Sequence, residues 1–163
     1  ALNDDQRALL KRLTPASFDG DAGSWGLVMA GVYNIEKDGR RAAAYGDSAR
    51  IALEQQLYAA PNDPQLHALL GVALAYAGRK EAAVREGERA VAADSSQSEN
   101  AQYFRHLLAR VHILNGEQEK ALDLLEQLLR QPYFLSPGWL KVDPTFDPLR
   151  NNPRFKRLVD QPS

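Results

Sequence analysis

The sequence contains no cysteine among its 163 residues, and neither sign of charge dominates, since 20 basic residues face 21 acidic ones. Without cysteine there is no disulfide, no thiolate nucleophile and no cysteine-ligated metal site. No apolar run approaches the roughly 18–20 residues that cross a bilayer. Because a nucleic-acid-binding protein usually needs a basic excess to neutralise phosphates, the composition argues against nucleic acid as a partner and against a membrane span.

The chain begins with Ala1 instead of methionine, and no signal-peptide pattern follows. We therefore expect an excised piece of a longer protein or a processed product, of a length suited to one domain. The compartment is left open, with the cytoplasm slightly favoured.

What the sequence does contain is a repeat. Gly39, Gly78 and Gly116 lie 39 and 38 residues apart, each between two stretches with helical periodicity. A period of this size, with a small residue at the turn, is typical of stacked helical hairpins. The sequence therefore predicts a single all-α domain over 1–163, divided as follows: an N-terminal helix at 2–13, hairpins at 24–60, 63–94 and 96–131, and a C-terminal cap at 132–163 with a short helix at 153–160.

Helix starts and one apolar face can also be predicted. Asp63-Pro64 is a capping residue followed by proline at the first helical position. Ser96 and Glu99 have the spacing of a capping box. Spacing of i, i+3, i+7 and i+10 places four residues on one face of the first helix of hairpin one: Trp25, Val28, Val32 and Ile35.

The second hairpin carries much of the tetratricopeptide pattern, a 34-residue unit whose first helix reads W-x2-L-G-x2-Y. The matching segment is His67-x2-Leu70-Gly71-x2-Leu74, and small residues recur where its second helix must approach the first: Ala83, Gly87 and Ala90. The third hairpin repeats the pattern at Leu108, Ala109, Gly116, Ala121, Leu125 and Leu128. From about Trp25 to Arg130 the chain resembles a tetratricopeptide repeat (TPR) protein with a degenerate first unit, which implies a right-handed solenoid.

Prolines change the character of the last part of the chain. Five of them fall within 132–153, too many for a helix, so we expect an extended segment that covers the end of the array. The last repeat helix has no further hairpin to bury Leu122, Leu125 and Leu129, and end repeats need such a lid. The predicted lid residues are Tyr133, Phe134, Trp139, Phe146 and Phe155.

The same tail has a second resemblance. Asp143-Pro-Thr-Phe-Asp-Pro-Leu-Arg150, followed by Asn152-Pro-Arg-Phe155, is similar to a segment that closes repeat arrays in bacterial multidomain signalling proteins. In that group the arrays follow Ser/Thr kinase, nucleotide cyclase or DNA-binding regulator domains. The resemblance implies a C-terminal module of a larger bacterial protein.

The TPR resemblance implies that the first helix of each hairpin lines a concave, partner-binding face. By position this gives Met29, Tyr33, Glu36, Ala68, Val72, Tyr76, Tyr103, His106 and Arg110. Tyrosine and arginine favour recognition surfaces, although Tyr76 and Tyr103 are equally compatible with packing between hairpins. The lysines and asparagines with which some family members clamp a C-terminal carboxylate are missing, so a clamp of that kind is not expected.

Signatures of catalysis and metal binding are weak. His106 and His112 are six residues apart, which turns a helix through about 600° and leaves them on different faces. Asp143 and Asp147 each precede proline, a pattern typical of turns and caps. We expect no enzyme activity, no cofactor and no metal. The favoured function is a module that binds a protein or peptide; the alternative is a structural module that packs on its own upstream domain or forms a homodimer.

Overall fold

The computed structural model describes residues 3–93 and 99–160. In these two ranges the chain is all-helical and contains no strand. The α-helices are α1 (Asp4–Leu10), α2 (Ala22–Ile35), α3 (Gly39–Ala59), α4 (Pro64–Tyr76), α5 (Lys80–Ala93), α6 (Glu99–Asn115), α7 (Gln118–Leu129), α8 (Pro137–Val142) and α9 (Pro153–Val159). Two 3-10 helices span Pro15–Phe18 and Pro144–Leu149. The predicted all-α class is confirmed.

Helices α2 to α7 pack as hairpins: α2 with α3, α4 with α5, and α6 with α7. The second helix of one hairpin packs on the first helix of the next, α3 on α4 and α5 on α6. The first helices also contact one another, since α4 lies against both α2 and α6. The three first helices therefore form one layer of the molecule.

Side-chain caps begin several of these helices. The Asp63 carboxylate accepts hydrogen bonds from the backbone N–H of Gln65 and Leu66, at 2.8 and 3.3 Å, so the predicted Asp63-Pro64 start is confirmed. Asp21 caps α2 in the same way. Ser96 of the predicted capping box with Glu99 lies outside the described residues. The same is true of Leu2 in the predicted N-terminal helix and of residues 161–163 in the predicted C-terminal cap.

The first interhelical turn differs from the prediction. Gly78 and Gly116 have φ of 75° and 80° at the turns of their hairpins, but the left-handed residue of the first turn is Lys37, with φ of 62°. Gly39 is instead the first residue of α3, after the cap Asp38. The assignment of Gly39 as the turn residue is therefore wrong. A side chain at Lys37 makes this turn costlier than a glycine turn, by about 1 kcal/mol.

Small residues allow the helices to approach closely. A Cβ at Gly71 would lie 3.0 Å from the carbonyl oxygen of Ala83, and one at Gly87 would lie 2.8 Å from Leu108. Gly46 on α3 is tighter still, since its Cβ would stand 2.6 Å from the Cβ of Tyr76. Ala83 and Ala90 are fully buried. The close approach predicted for α4 and α5 is thus confirmed.

The tail forms a folded lid. Helix α9 (Pro153–Val159) lies where a short helix was predicted, but the extended segment expected before it is wrong. Pro137, Pro144 and Pro153 each occupy the start of a short helix, where the missing N–H is not needed. The lid buries Leu122 and Leu125 of α7 together with its own apolar side chains: Leu135, Leu140, Phe146, Leu149, Phe155, Leu158 and Val159. From here on, the cap means residues 135–159 together with the face of α7 that they cover, a narrower range than the predicted cap at 132–163.

The predicted lid aromatics divide into two groups. Phe146 and Phe155 are buried in the cap, 1% and 2% exposed. Phe134 and Trp139 are 59% and 47% exposed, so their assignment as lid residues is wrong. Tyr133 is partly buried, with its ring 4.4 Å from that of Phe134.

Candidate binding groove

A groove runs along the layer formed by α2, α4 and α6. Its first part is a cavity of about 340 Å³ with mostly apolar walls. The lining residues come from α1 and from all three first helices: Leu10, Ser24, Leu27, Val28, Gly31, Val32, Ile35, Leu69, Val72, Tyr103, Leu107 and Arg110. Three successive hairpins therefore contribute to one concave site.

A second cavity of about 320 Å³ continues this groove. Gly31, Ile35 and Arg110 line both cavities, which places them at the junction. Beyond the junction the walls are Asn34, Lys37, Gly39, Tyr76, Ile113, Leu114 and, from the cap, Pro144, Thr145 and Pro148. The term groove is used below for the two cavities together.

The apolar face of α2 supplies one wall. Val28, Val32 and Ile35, predicted to share a face, all line the first cavity. Trp25 does not: its ring meets Tyr45 edge-on at 5.4 Å, and its indole N–H donates to the carbonyl of Leu13 at 2.9 Å. At its N-terminal end, this face of α2 thus packs against the protein through Trp25. The rest of the same face lines the groove.

Arg110 stands at the junction of the two cavities. Its Nη2 donates a 2.7 Å hydrogen bond to the hydroxyl of Tyr76, and the guanidinium lies 5.7 Å from that ring's centroid. The Nε of Arg110 is buried and has no hydrogen-bond partner within the described ranges. Arg110 forms no salt bridge with any carboxylate of the residues that the structure describes. The groove therefore contains a cation held only by a neutral hydroxyl.

Two other predicted residues lie in the groove. Val72 is almost fully buried and forms part of the floor, and partly buried Tyr103 forms part of a wall. Burial raises the pKa of Tyr103, with the charge of Arg110 acting in the opposite direction, so the hydroxyl stays protonated at neutral pH. Tyr76 is 8% exposed and lines only the second cavity.

His106 lies outside both cavities, between α6 and the tail. Its Nδ1 is 3.2 Å from the hydroxyl of Tyr133, and its ring is nearly parallel to that of Phe146 at 6.4 Å. Burial, together with the nearby charge of Arg110, lowers the pKa of His106 to about 4. His106 is therefore neutral at pH 7 and packs as an aromatic residue beneath the cap.

The residues predicted from the first hairpin lie outside the groove. Met29 is buried in the core, and Ala68 of α4 is buried as well. Tyr33 stacks on Tyr45, with ring centroids 5.4 Å apart. Glu36 accepts a hydrogen bond from Lys11 at 2.8 Å. Each of Met29, Tyr33 and Glu36 comes one residue after a residue of α2 that lines the groove. The spacing of those lining residues, Val28, Val32 and Ile35, was the signal that could have set the register.

The ionisable residues outside the groove are mostly paired. Among the described residues, no group of three His, Cys, Asp or Glu side chains is arranged to hold a metal. His67 and His112 each contact one carboxylate, Glu86 at 2.6 Å and Glu117 at 2.7 Å. Asp143 caps the 3-10 helix Pro144–Leu149, so its predicted structural role is confirmed.

None of the helices in the described part of the chain has the length and apolar character that crossing a bilayer requires.

Comparison with known proteins identifies no relative. No protein-family model, curated protein or solved structure matches this chain.

Proposed function

We propose that this chain is a non-catalytic, TPR-like solenoid module that holds a protein or peptide segment in its groove. The observation that supports this most is the groove itself: a mostly apolar cavity lined by the first helices of three successive hairpins, adjoining a second cavity of mixed lining. Repeat arrays of stacked hairpins use such extended concave surfaces to bind partners. A mostly apolar pocket with a few polar groups is also the usual form of a binding site.

The walls of the groove are built before any partner arrives. Val72 and Leu107 line it from helices whose other faces are buried in the core. Binding therefore orders few side chains of the module, which lowers the entropic cost. Tyr103 and Arg110 belong to the residue types that supply most of the binding energy at interfaces.

The sequence of the tail is the basis for the cellular setting that we propose. In this setting the whole module forms the C-terminal part of a larger bacterial signalling or regulatory protein. The folded role of the tail motif supports this, because Asp143, Arg154 and Phe155 each make contacts that close the array: a helix cap, ion pairs with α7 and core packing. A motif whose residues build the lid is what an array-closing segment requires.

A second function is favoured by exposed apolar side chains. Phe134, Trp139 and Val142 are 59%, 47% and 55% exposed in the tail, and Ile51 and Tyr58 are 46% and 90% exposed on α3. The rings of Phe134 and Trp139 lie 6.3 Å apart, and neighbouring exposed apolar side chains of this kind mark interaction sites. In this alternative the module packs on its own upstream domain or forms a homodimer, and the groove takes no external ligand.

Blocking the groove separates these two functions. Selection from a random peptide library should enrich a peptide family that binds the wild-type chain. Gly31→Leu, which puts a side chain at the junction of the cavities, should abolish this binding. Gly138→Leu is the matched control, since Gly138 lies in α8 with only Ser136 within 4 Å of its Cβ position. If no peptide is enriched, or if Gly31→Leu binds as well as wild type, the groove function is wrong.

The homodimer is tested by light scattering after size exclusion over a range of concentrations. A mass that rises with concentration in wild type, and stays monomeric in Phe134→Ser/Trp139→Ser, would support self-association. A mass of about 18 kDa throughout, close to the 18.1 kDa of the chain, would leave the groove as the better-supported site.

A further inference from the structure

Building on the proposed function, we infer that the segment bound in the groove carries an acidic residue, flanked by apolar residues, whose carboxylate pairs with Arg110. Arg110 lies between the mostly apolar first cavity and a second cavity of mixed lining that includes Ile113 and Leu114, and this position predicts the order of side chains. The carboxylate contacts the guanidinium, and the neighbouring apolar side chains enter the cavities on either side.

Arg110 forms no salt bridge with a carboxylate of the described residues, and Asp143 acts on its charge only from a longer distance. Some other arginines in the described part of the chain do pair with carboxylates, for example Arg50 with Asp47 and Glu54 at 2.8 and 2.6 Å. The only hydrogen bond from Arg110 goes to the neutral hydroxyl of Tyr76, while its buried Nε makes none among the described residues. A partly buried charge without a partner is costly, and a carboxylate arriving from outside would offset that cost.

Arg110 nevertheless keeps its charge. Burial alone would favour the neutral form, but its interactions with Tyr76 and the more distant Asp143 outweigh burial and raise the pKa of Arg110. A guanidinium binds a carboxylate through two parallel N–H groups, which a hydroxyl does not exploit. Arg110 is thus a charged donor whose preferred acceptor is missing from its surroundings.

The space next to Arg110 suits an apolar neighbour. On one side lie Val28, Leu69 and Leu107, and on the other Ile113 and Leu114. Gly31 faces the guanidinium: a Cβ there would lie 3.5 Å from Arg110 Nη2. The absence of a side chain at Gly31 leaves the two cavities connected, so an extended segment can pass from one to the other beside Arg110.

The test uses a library of hexapeptides blocked by acetyl and amide groups, so that every carboxylate comes from Asp or Glu. We expect enrichment of peptides with an acidic residue between apolar ones. For the best peptide, exchange of its acidic residue for the amide should weaken binding to the wild-type chain about tenfold or more, as removal of one partner of a desolvated ion pair does. Fluorescence anisotropy measures this affinity.

Variants assign the effect to Arg110. In Arg110→Gln the acidic and amide peptides should bind within about twofold of each other, because the charge that distinguishes them is gone. Arg105→Gln removes the same charge from another face of α6 and should keep the full difference. If Arg110→Gln does not fold, as judged by circular dichroism, Arg110→Lys keeps the charge and should retain the preference for acid over amide.

The outcomes are distinguishable. Enriched peptides without an acidic preference, or an acid-to-amide exchange without effect on wild type, would overturn this inference and leave the peptide-binding function standing. No enrichment of any peptide would overturn both.

Discussion

Two arginines show how the cap and the groove differ. Arg154 in the cap reaches three carboxylates of α7: Glu126 and Asp123 at 2.7 Å and Glu119 at 3.2 Å. Arg110 in the groove reaches only the Tyr76 hydroxyl. In the cap, Arg154 is therefore satisfied by carboxylates of the protein itself, as a structural contact should be. The groove contains a charge that forms no salt bridge with the described residues and a mostly apolar first cavity, and the proposed binding function rests on these two features.

The largest expected effect on stability comes from a substitution in the core of the cap. Phe146 is 1% exposed and fills the cap core, so Phe146→Ala should leave a cavity and lower the free energy of unfolding by about 3–5 kcal/mol. Urea denaturation followed by circular dichroism measures the loss. Phe134→Ala, at a position 59% exposed, is the matched control and should change stability by less than about 0.5 kcal/mol. Equal losses for the two variants would mean that the cap core is misplaced.

The next effect comes from His106, which lies between groove and cap. Its folded pKa, about 4, is below the ordinary value of 6.5, so the unfolded chain binds the extra proton first as pH falls. Stability should therefore be full above about pH 6.5 and should fall toward pH 4, by at most about 3 kcal/mol from this group. Denaturation midpoints at several pH values measure the slope. His106→Phe should flatten the slope in that window; an unchanged slope would show that His106 is not buried as a neutral ring.

Arg154 provides a smaller effect. Arg154→Met removes ion pairs with Glu119, Asp123 and Glu126, which are partly exposed and therefore screened by solvent. As a network of three pairs they should nevertheless stabilise the folded state measurably at low salt. The loss should shrink when unfolding is measured at high salt, because salt screens surface charges. A salt-independent loss would instead indicate that the packing of the Arg154 stem, and not its charge, holds α9 on α7.

The two regions also differ in how far sequence alone predicted them. The helical class was predictable because apolar residues recur at helical spacing, and the lid because three leucines of α7 needed cover. The short helices that begin at Pro137 and Pro144 were missed because the prolines there were taken as helix breakers, although proline is well suited to the first position of a helix. The turn at Lys37 was missed because only glycine was expected in a left-handed conformation.

Groove residues were harder to predict for a physical reason. Periodicity shows which residues are apolar, but the core face and the groove face of α2 are both apolar. Met29 and Val28 therefore look alike in sequence, although one is buried in the core and the other lines the cavity. Likewise, nothing in sequence shows that Arg110 lacks a carboxylate, because its potential partners lie on other helices.

Gly31→Ala probes the groove with a stabilising change. Gly31 lies inside α2 and does not have positive φ, and its Cβ would make ordinary contact with Arg110 and Tyr76 at 3.5 Å. Alanine in a helix interior is more favourable than glycine by about 0.5–1 kcal/mol, so the melting temperature should rise. Peptide affinity should fall at the same time, because the methyl group narrows the junction. A rise in both would show that the segment does not pass between the cavities.

The smallest expected effect on stability is the sharpest test of the comparison. Arg110→Met removes the hydrogen bond to Tyr76, at a cost of about 1 kcal/mol. It also removes an unpaired charge from apolar surroundings, which offsets that cost. The free energy of unfolding should therefore change by less than about 0.5 kcal/mol, whereas Arg154→Met loses more than that. Thermal denaturation of both variants at low salt decides. If Arg110→Met is the more destabilised of the two, Arg110 is a structural residue like Arg154, and its charge is not available to pair with a ligand in the groove.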